Sequence, residues 1–268
     1  MGLAAVAATA AAVVLAATPA SFVQAHGANG AFAEPGGTPD ALLSSWAVLG
    51  LRAVGQPAPG SLAYLRSQEA SLHSSTDVAL VALAEEALGA KPAALLDRLR
   101  AATAATGQIG GALNATYWGV LALGSSTAAT TRFILSRQAG SGGFAWAVGG
   151  QPDSNDTAAA LEALRVAGVH GAPVARAVRF LRSFQGKDGG FELTRGRGSD
   201  AQSTAWAIQG LVAAGQQPPR SAFAYLAKLK RPDGSYRYSA QYVTTPVWVT
   251  SQVLAALAKK PFPLSAIS

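Results

Sequence analysis

Two kinds of apolar run alternate along the chain. Six are apolar on nearly every face and open at a small polar residue: Asp40, Thr76, Asn114, Asp156, Ser203 and Thr245. Few charges interrupt them, namely Arg52, Glu85, Glu86, Glu162 and Arg165. A helix that is apolar all round must be covered all round. Five other runs, at residues 60–68, 92–103, 127–138, 173–185 and 220–230, carry a one-sided apolar stripe and much of the Lys and Arg. This alternation predicts an inner ring of six helices wrapped by an outer set. Thr38-Pro39 and Thr245-Pro246 each place a capping residue before a proline at the first helical position, and Asp156 and Ser203 are expected caps too. No long alternating Val/Ile/Thr run is present, so the class is all-α.

The outer runs end in a recurring phrase. Arg132-Phe133-Ile134-x-Ser136-x-Gln138 leads, three residues on, to Gly142-Gly143-Phe144. Arg179-Phe180-Leu181-x-Ser183-x-Gln185 leads likewise to Gly189-Gly190-Phe191, and a worn copy runs from Ala224-Tyr225-Leu226 to Gly234-Ser235-Tyr236. Steps of 47 and 45 residues separate Ile134, Leu181 and Leu226, a period that signals stacked helix pairs. The count is uneven, six inner runs against five outer ones, because Pro261-Phe262-Pro263 stops the chain after the last. Either residues 1–25 supply the sixth outer helix, or the ring lacks it and is thinly covered between its first and last repeats; the second is expected, because a signal peptide would be removed.

Helix pairs joined by Gln-x3-Gly-Gly-Phe and followed by an Asp-Thr-Ala helix start resemble the α/α-toroid superfamily. It includes squalene and terpene cyclases, the β subunits of protein prenyltransferases and cobalamin-carrier proteins. The segment 138–146, ending in Trp146, is similar to the Gln/Trp motif of the cyclases, and the likeness spans roughly Pro39 to Lys260. It implies an α/α toroid of about six repeats, a fold that serves both enzymes and carriers. Prenyltransferases of this kind hold zinc through Asp, Cys and His. This chain has no cysteine and only His26, His73 and His170, so no metal and no cofactor are expected. The Asp-x-Asp-Asp acid motif of class II cyclases is missing as well. Its nearest counterpart is Asp153-Ser154-Asn155-Asp156. Asp153 and Asp156 are the catalytic candidates, since paired carboxylates can raise one pKa and make an acid. A turn followed by a cap explains the same residues.

Composition and charge narrow the setting. A charged fraction of 13% beside 50% hydrophobic residues excludes disorder. The first charged residue is Glu34, Leu3 to Ala17 is an Ala/Val/Leu run, and Val23-Gln24-Ala25 before His26 fits a small-x-small cleavage site. The expected division is a signal peptide over 1–25, a short linker over 26–38 and the toroid over 39–268, with the protein exported. The apolar run is too short and too rich in alanine for a membrane span. The net charge of +7 is spread out and forms no nucleic-acid groove. Nothing in the sequence sets an oligomeric state.

Four of the five tryptophans fall on inner runs. The ligand-binding candidates are Trp46, Asp77, Asn114, Tyr117, Trp118, Asp156, Thr157, Ser203, Trp206, Thr245 and Trp248. Their rings either line the lumen or pack between the helix layers, and their polar groups either ring a cavity mouth or cap helices. The expected function is a non-catalytic module binding an apolar or isoprenoid-like small molecule in the lumen or over the loop rim. Two alternatives stand beside it: a divergent class II terpene cyclase or prenyl-chain enzyme using Asp153 or Asp156, and a protein-interaction scaffold.

Overall fold

The computed structural model describes residues 17–264. In chain order the helices are α1 (Pro19–Ala25), α2 (Ala41–Ala53), α3 (Ser61–Gln68), α4 (Ser75–Ala87), α5 (Ala93–Ala101) and α6 (Leu113–Leu123). They continue as α7 (Ala128–Ser136), α8 (Ser154–Val166), α9 (Ala172–Arg182), α10 (Ala201–Ala213), α11 (Arg220–Leu229) and α12 (Pro246–Leu257). The even-numbered helices form the inner ring. Each packs on the next, and α12 packs on α2 to close the circle. Small residues let the backbones approach: a Cβ on Gly50 would lie 2.3 Å from the Ser251 carbonyl oxygen, and one on Gly210 would lie 2.7 Å from Ala158 Cα. Among the described residues, strand is confined to two hairpins of two-residue strands, β1 (Gly27–Ala28) with β2 (Ala31–Phe32), and β3 (Phe191–Glu192) with β4 (Ser199–Asp200).

One hydrogen bond recurs around the ring. The backbone N–H of the apolar loop residue donates to a hydroxyl on the inner helix that follows. The pairs are Phe32 to Ser44 Oγ (2.9 Å), Ile109 to Thr116 Oγ1 (3.1 Å), Phe144 to Thr157 Oγ1 (2.9 Å), Phe191 to Thr204 Oγ1 (2.9 Å) and Tyr236 to Thr250 Oγ1 (2.9 Å). A short polar side chain in the first helical turn thus satisfies a buried loop donor. The first glycine of each of these turns, two residues before the apolar one, has its own reason. At Gly142, Gly189 and Gly234, φ is near +90°, and a Cβ would strike the backbone at Arg176, Ser221 and Thr18. Only glycine fits such a left-handed close approach.

That last contact corrects the expected ring. Thr18 caps α1, so α1 stands where the sixth outer helix belongs, against α12 and α2. Phe22 and Val23 are buried there. Residues 24–32 are a further copy of the repeat. His26 takes the glutamine position with its Nδ1 at 2.9 Å from the Phe22 carbonyl oxygen, and Asn29-Gly30-Ala31-Phe32 stands for the Gly-Gly-Phe turn. The stretch expected as a linker is thus part of the repeat, and the boundary expected at Ala25 falls at the end of a packed helix. Residues 1–16 of the expected leader lie outside the described residues. The copy is hard to see in the sequence because Ala20, Ser21 and His26 stand where the other copies have Arg, Phe and Gln, and Ala31 replaces the second glycine. The seam has a second tie. Thr245 sits at φ +41° and makes no capping bond. Instead the Glu34 carboxylate accepts from the N–H groups of Val247 (2.9 Å) and Trp248 (2.8 Å), capping α12 across more than two hundred residues of chain.

Candidate functional site

The recurring hydroxyls set a register for the lumen. Two residues after each stand Trp46, Trp118, Ala159, Trp206 and Gln252, and Leu80 of α4 joins them in lining the axis. Trp46, Trp118 and Trp206 meet edge to face, their centroids 5.4–5.6 Å apart and their planes 85–89° from parallel. This triad closes the ring at mid-depth. From the far side the C-terminal tail inserts Phe262, fully buried, with its ring 6.0 Å from Trp46 and 6.3 Å from Trp118. Arg165 donates to the Phe262 carbonyl oxygen (2.6 Å), and the Phe262 N–H points at Glu162 Oε1 (3.4 Å). Burial pushes the Glu162 carboxyl up to about 8, although the Phe262 N–H and Arg165 both pull it down.

Above the triad lies a bowl of about 490 Å³. Its apolar wall is Leu42, Leu80, Trp146, Leu193 and Trp248, and its polar lip is Thr76, Asp77, Asn114, Asn155, Asp156 and Gln202. Ala159 and Gln252 stand at floor level beside the tryptophans. The helix start at α8 differs from the expected one. Asp153 is the cap, accepting from the Asp156 N–H at 2.8 Å, while Asp156 is the third helical residue. Asp156 is 7% exposed and its Oδ1 accepts from Asn114 Nδ2 at 2.5 Å. Burial, then the Asp153 charge and a hydrogen bond with Asp153, raise it to about 8, against the lowering effect of Asn114. A carboxylate in the first turn is ordinarily favoured by the helix dipole. Here desolvation outweighs the dipole, and the carboxyl is held well above its ordinary range.

Of the expected binding residues, the structure gathers Trp46, Asp77, Asn114, Trp118, Asp156, Trp206 and Trp248 around the bowl. The other four serve the framework. Tyr117 is fully buried between the layers, edge-on to Phe144 at 6.0 Å, with its hydroxyl donating to the Ala145 carbonyl oxygen. Thr157 accepts the Phe144 N–H, Ser203 donates to its cap Asp200 (2.9 Å), and Thr245 only leads into α12. Sequence reasoning missed Ala159, Gln252 and Phe262. The first two share the tryptophans' register, two residues past a Ser or Thr, and that offset is the signal that finds them. Phe262 had no comparable signal.

A second, slightly larger cleft of about 510 Å³ lies off the axis, between Asp188, Arg197 and Asp200 and the tyrosines 225, 238 and 242. Its lining reaches out to Tyr225 on the outer helix α11, away from the tryptophans. Among the described residues no group of His, Cys, Asp and Glu is placed to hold a metal ion, and no helix is long and apolar enough to cross a membrane.

No known family profile matches the sequence, and no curated protein matches it. Solved structures do match. A protein from Actinoplanes aligns with a TM-score of 0.69 at 16% identity, over 90% of this chain and 97% of the other. The type II terpene cyclase MstE from Scytonema, in a substituted form bound to its substrate geranylgeranyl dihydroxybenzoate, gives 0.67 at 14% identity, over 90% and 94%. Candida albicans protein geranylgeranyltransferase-I complexed with GGPP gives 0.61 at 14%, over 85% and 86%. The chain therefore has the α/α-toroid fold that terpene cyclases and prenyltransferases share.

Proposed function

We propose that this toroid is a non-catalytic binding protein that seats an apolar, isoprenoid-like small molecule in the bowl. The tryptophan triad carries the reading. With the ring closed at mid-depth, the remaining space is an open bowl and not a deep chamber. Cyclising a polyene calls for a site that excludes water from reactive intermediates. An open bowl instead offers a ligand an aromatic bed and leaves one side wet. Its volume, 490 Å³, lies in the usual range for small-molecule sites. Asp156 supports the same view. A carboxyl raised to about 8 is a weaker acid than an ordinary one, and protonating an alkene needs a strong acid. A neutral carboxyl leaves this part of the lip uncharged, which suits an apolar ligand. The isoprenoid class comes from the geranylgeranyl ligands of the toroids that this chain resembles.

The test is titration with geranylgeraniol and squalene, followed by tryptophan emission, beside product analysis with squalene and linear prenyl diphosphates. We expect quenching that saturates, no quenching in Ala159→Trp, whose indole fills the floor, and no cyclised or transferred product. One observation favours the cyclase reading: a protonated carboxyl borders an aromatic surface. Product from the parent that vanishes in Asp156→Asn would establish it. A scaffold role draws on the exposed apolar side chains of the rim loops, Trp146 (61% exposed), Val148, Tyr242 and Val243. Loss of binding partners in a Val148→Ser variant that keeps its ligand would favour it.

Export is part of the proposal, with the leader cut upstream of Thr18. Cleavage after Ala25 would discard α1 and uncover α12. N-terminal sequencing of secreted material reads the cut, and a cytosolic protein retaining Met1 would end the idea.

A further inference from the structure

We propose that the ligand of the bowl carries a hydroxyl group at the end that reaches the floor, where the Gln252 amide reads it. The inference rests on the binding reading above and narrows its ligand. Gln252 is the one polar member of the axial layer formed by Trp46, Leu80, Trp118, Ala159 and Trp206. It lies on α12, between the helices that carry Trp46 and Trp206. The residue is 2% exposed, and its Oε1 has no hydrogen-bond partner among the described residues. Of the buried side-chain oxygens in that condition, it alone belongs to the lining of the bowl. A buried amide without a protein partner is unfavourable. Leucine or methionine would fill a similar volume among indoles at no such cost.

The amide therefore suits a partner that arrives with the ligand. A hydroxyl matches it either way, donating to Oε1 or accepting from Nε2. A phosphate or carboxylate does not suit the floor, because no cationic side chain lines the bowl. The floor also has one small side chain, Ala159, which leaves room beside the triad for the ligand's end. The assigned ligand class is a long apolar alcohol lying along the indoles, its hydroxyl down at Gln252.

The experiment measures affinity for geranylgeraniol and for the matching hydrocarbon that lacks the hydroxyl, in the parent, Gln252→Leu and Gln252→Met. We expect the parent to prefer the alcohol by about tenfold, the scale of one buried hydrogen bond, because a site that awaits a hydroxyl rejects the analogue without it. Both variants should lose that preference and bind the hydrocarbon at least as tightly as the parent does. Without ligand they should melt no lower than the parent. A preference that survives in a folded Gln252→Leu would overturn the inference and move the hydroxyl to the lip, at Asp156 and Asn114. A marked fall in melting temperature of both variants would also overturn it, since the amide would then already serve the fold. Failure of the parent to bind either probe would instead refute the binding reading itself.

Discussion

Helix α8 carries two buried carboxyl groups six residues apart, about 9 Å along the axis. Asp156 and Glu162 are both pushed up to about 8, chiefly by burial. Their surroundings differ. Glu162 faces the closed end of the ring, where Phe262 and Arg165 complete a lock. Asp156 faces the open end, where its partner is the amide of Asn114 and its neighbour is the bowl. A perturbed carboxyl by itself does not mark a site, since structural groups are perturbed too. Open volume separates the two: Asp156 borders the bowl, whereas Glu162 is enclosed in the packed end, where its Oε2 has no partner among the described residues.

The sharpest way to break this contrast is to remove the plug. Phe262→Ala should cost about 3–5 kcal/mol, as large-to-small changes in a packed core do, read by denaturant unfolding. A negligible loss would mean that the far end is not a lock. Next is Glu162→Gln, which keeps an oxygen for the Phe262 N–H. The folded pKa lies above the unfolded value of about 4.5, so ionisation opposes folding. The penalty is absent below about pH 4.5, grows as pH rises and is complete above about 8. The variant should therefore match the parent near pH 4 and exceed it at pH 9, by on the order of 1 kcal/mol or more. A gain at pH 4 would place the effect elsewhere.

Asp156→Asn should follow the same sign with a smaller gain, since Asp156 borders the bowl. Its distinctive readout is binding: a charged carboxylate at the lip disfavours seating an apolar chain, so parent affinity for an apolar alcohol should weaken as pH rises through 8, and the variant's should stay flat. A flat profile in the parent would separate Asp156 from the ligand. The smallest effects belong to Asp153. As the cap of α8, Asp153→Ala should cost about 1 kcal/mol and Asp153→Asn a few tenths, by thermal melting. Equal losses in both would argue for a role for its charge.

Much of this was legible before any coordinates. The apolar faces and the Gly-Gly-Phe period identify the inner helices and the toroid, and seven of the eleven expected binding residues border the bowl. The misses have physical causes. The sequence favours a cleaved leader over a sixth outer helix at α1 because an alanine-rich packed helix and a secretory leader share a composition, and burial is not written in composition. Asp156 was read as a cap because Asp serves both the cap and the first turn, and only the geometry separates Asp153 from it. Tyr117 and Trp118 are adjacent aromatics on one helix, yet one packs outward between layers and the other joins the triad. A helical turn of about 100° per residue separates them. Phe262 lies in a tail with no repeat partner, so no internal pattern announced it.

The ring closes by joining the two ends of the chain: Gly234 abuts Thr18, and Glu34 caps α12. These contacts each span more than two hundred residues of chain, and contacts of such separation slow folding. A chain emerging from the ribosome can stack α2 through α10 as each pair appears, since every repeat touches its predecessor. The first and last helices must wait for one another. Until α12 is made, α1 and the side of α2 that α12 will cover lack that partner and present apolar surface to solvent, a window in which chaperone capture competes with closure.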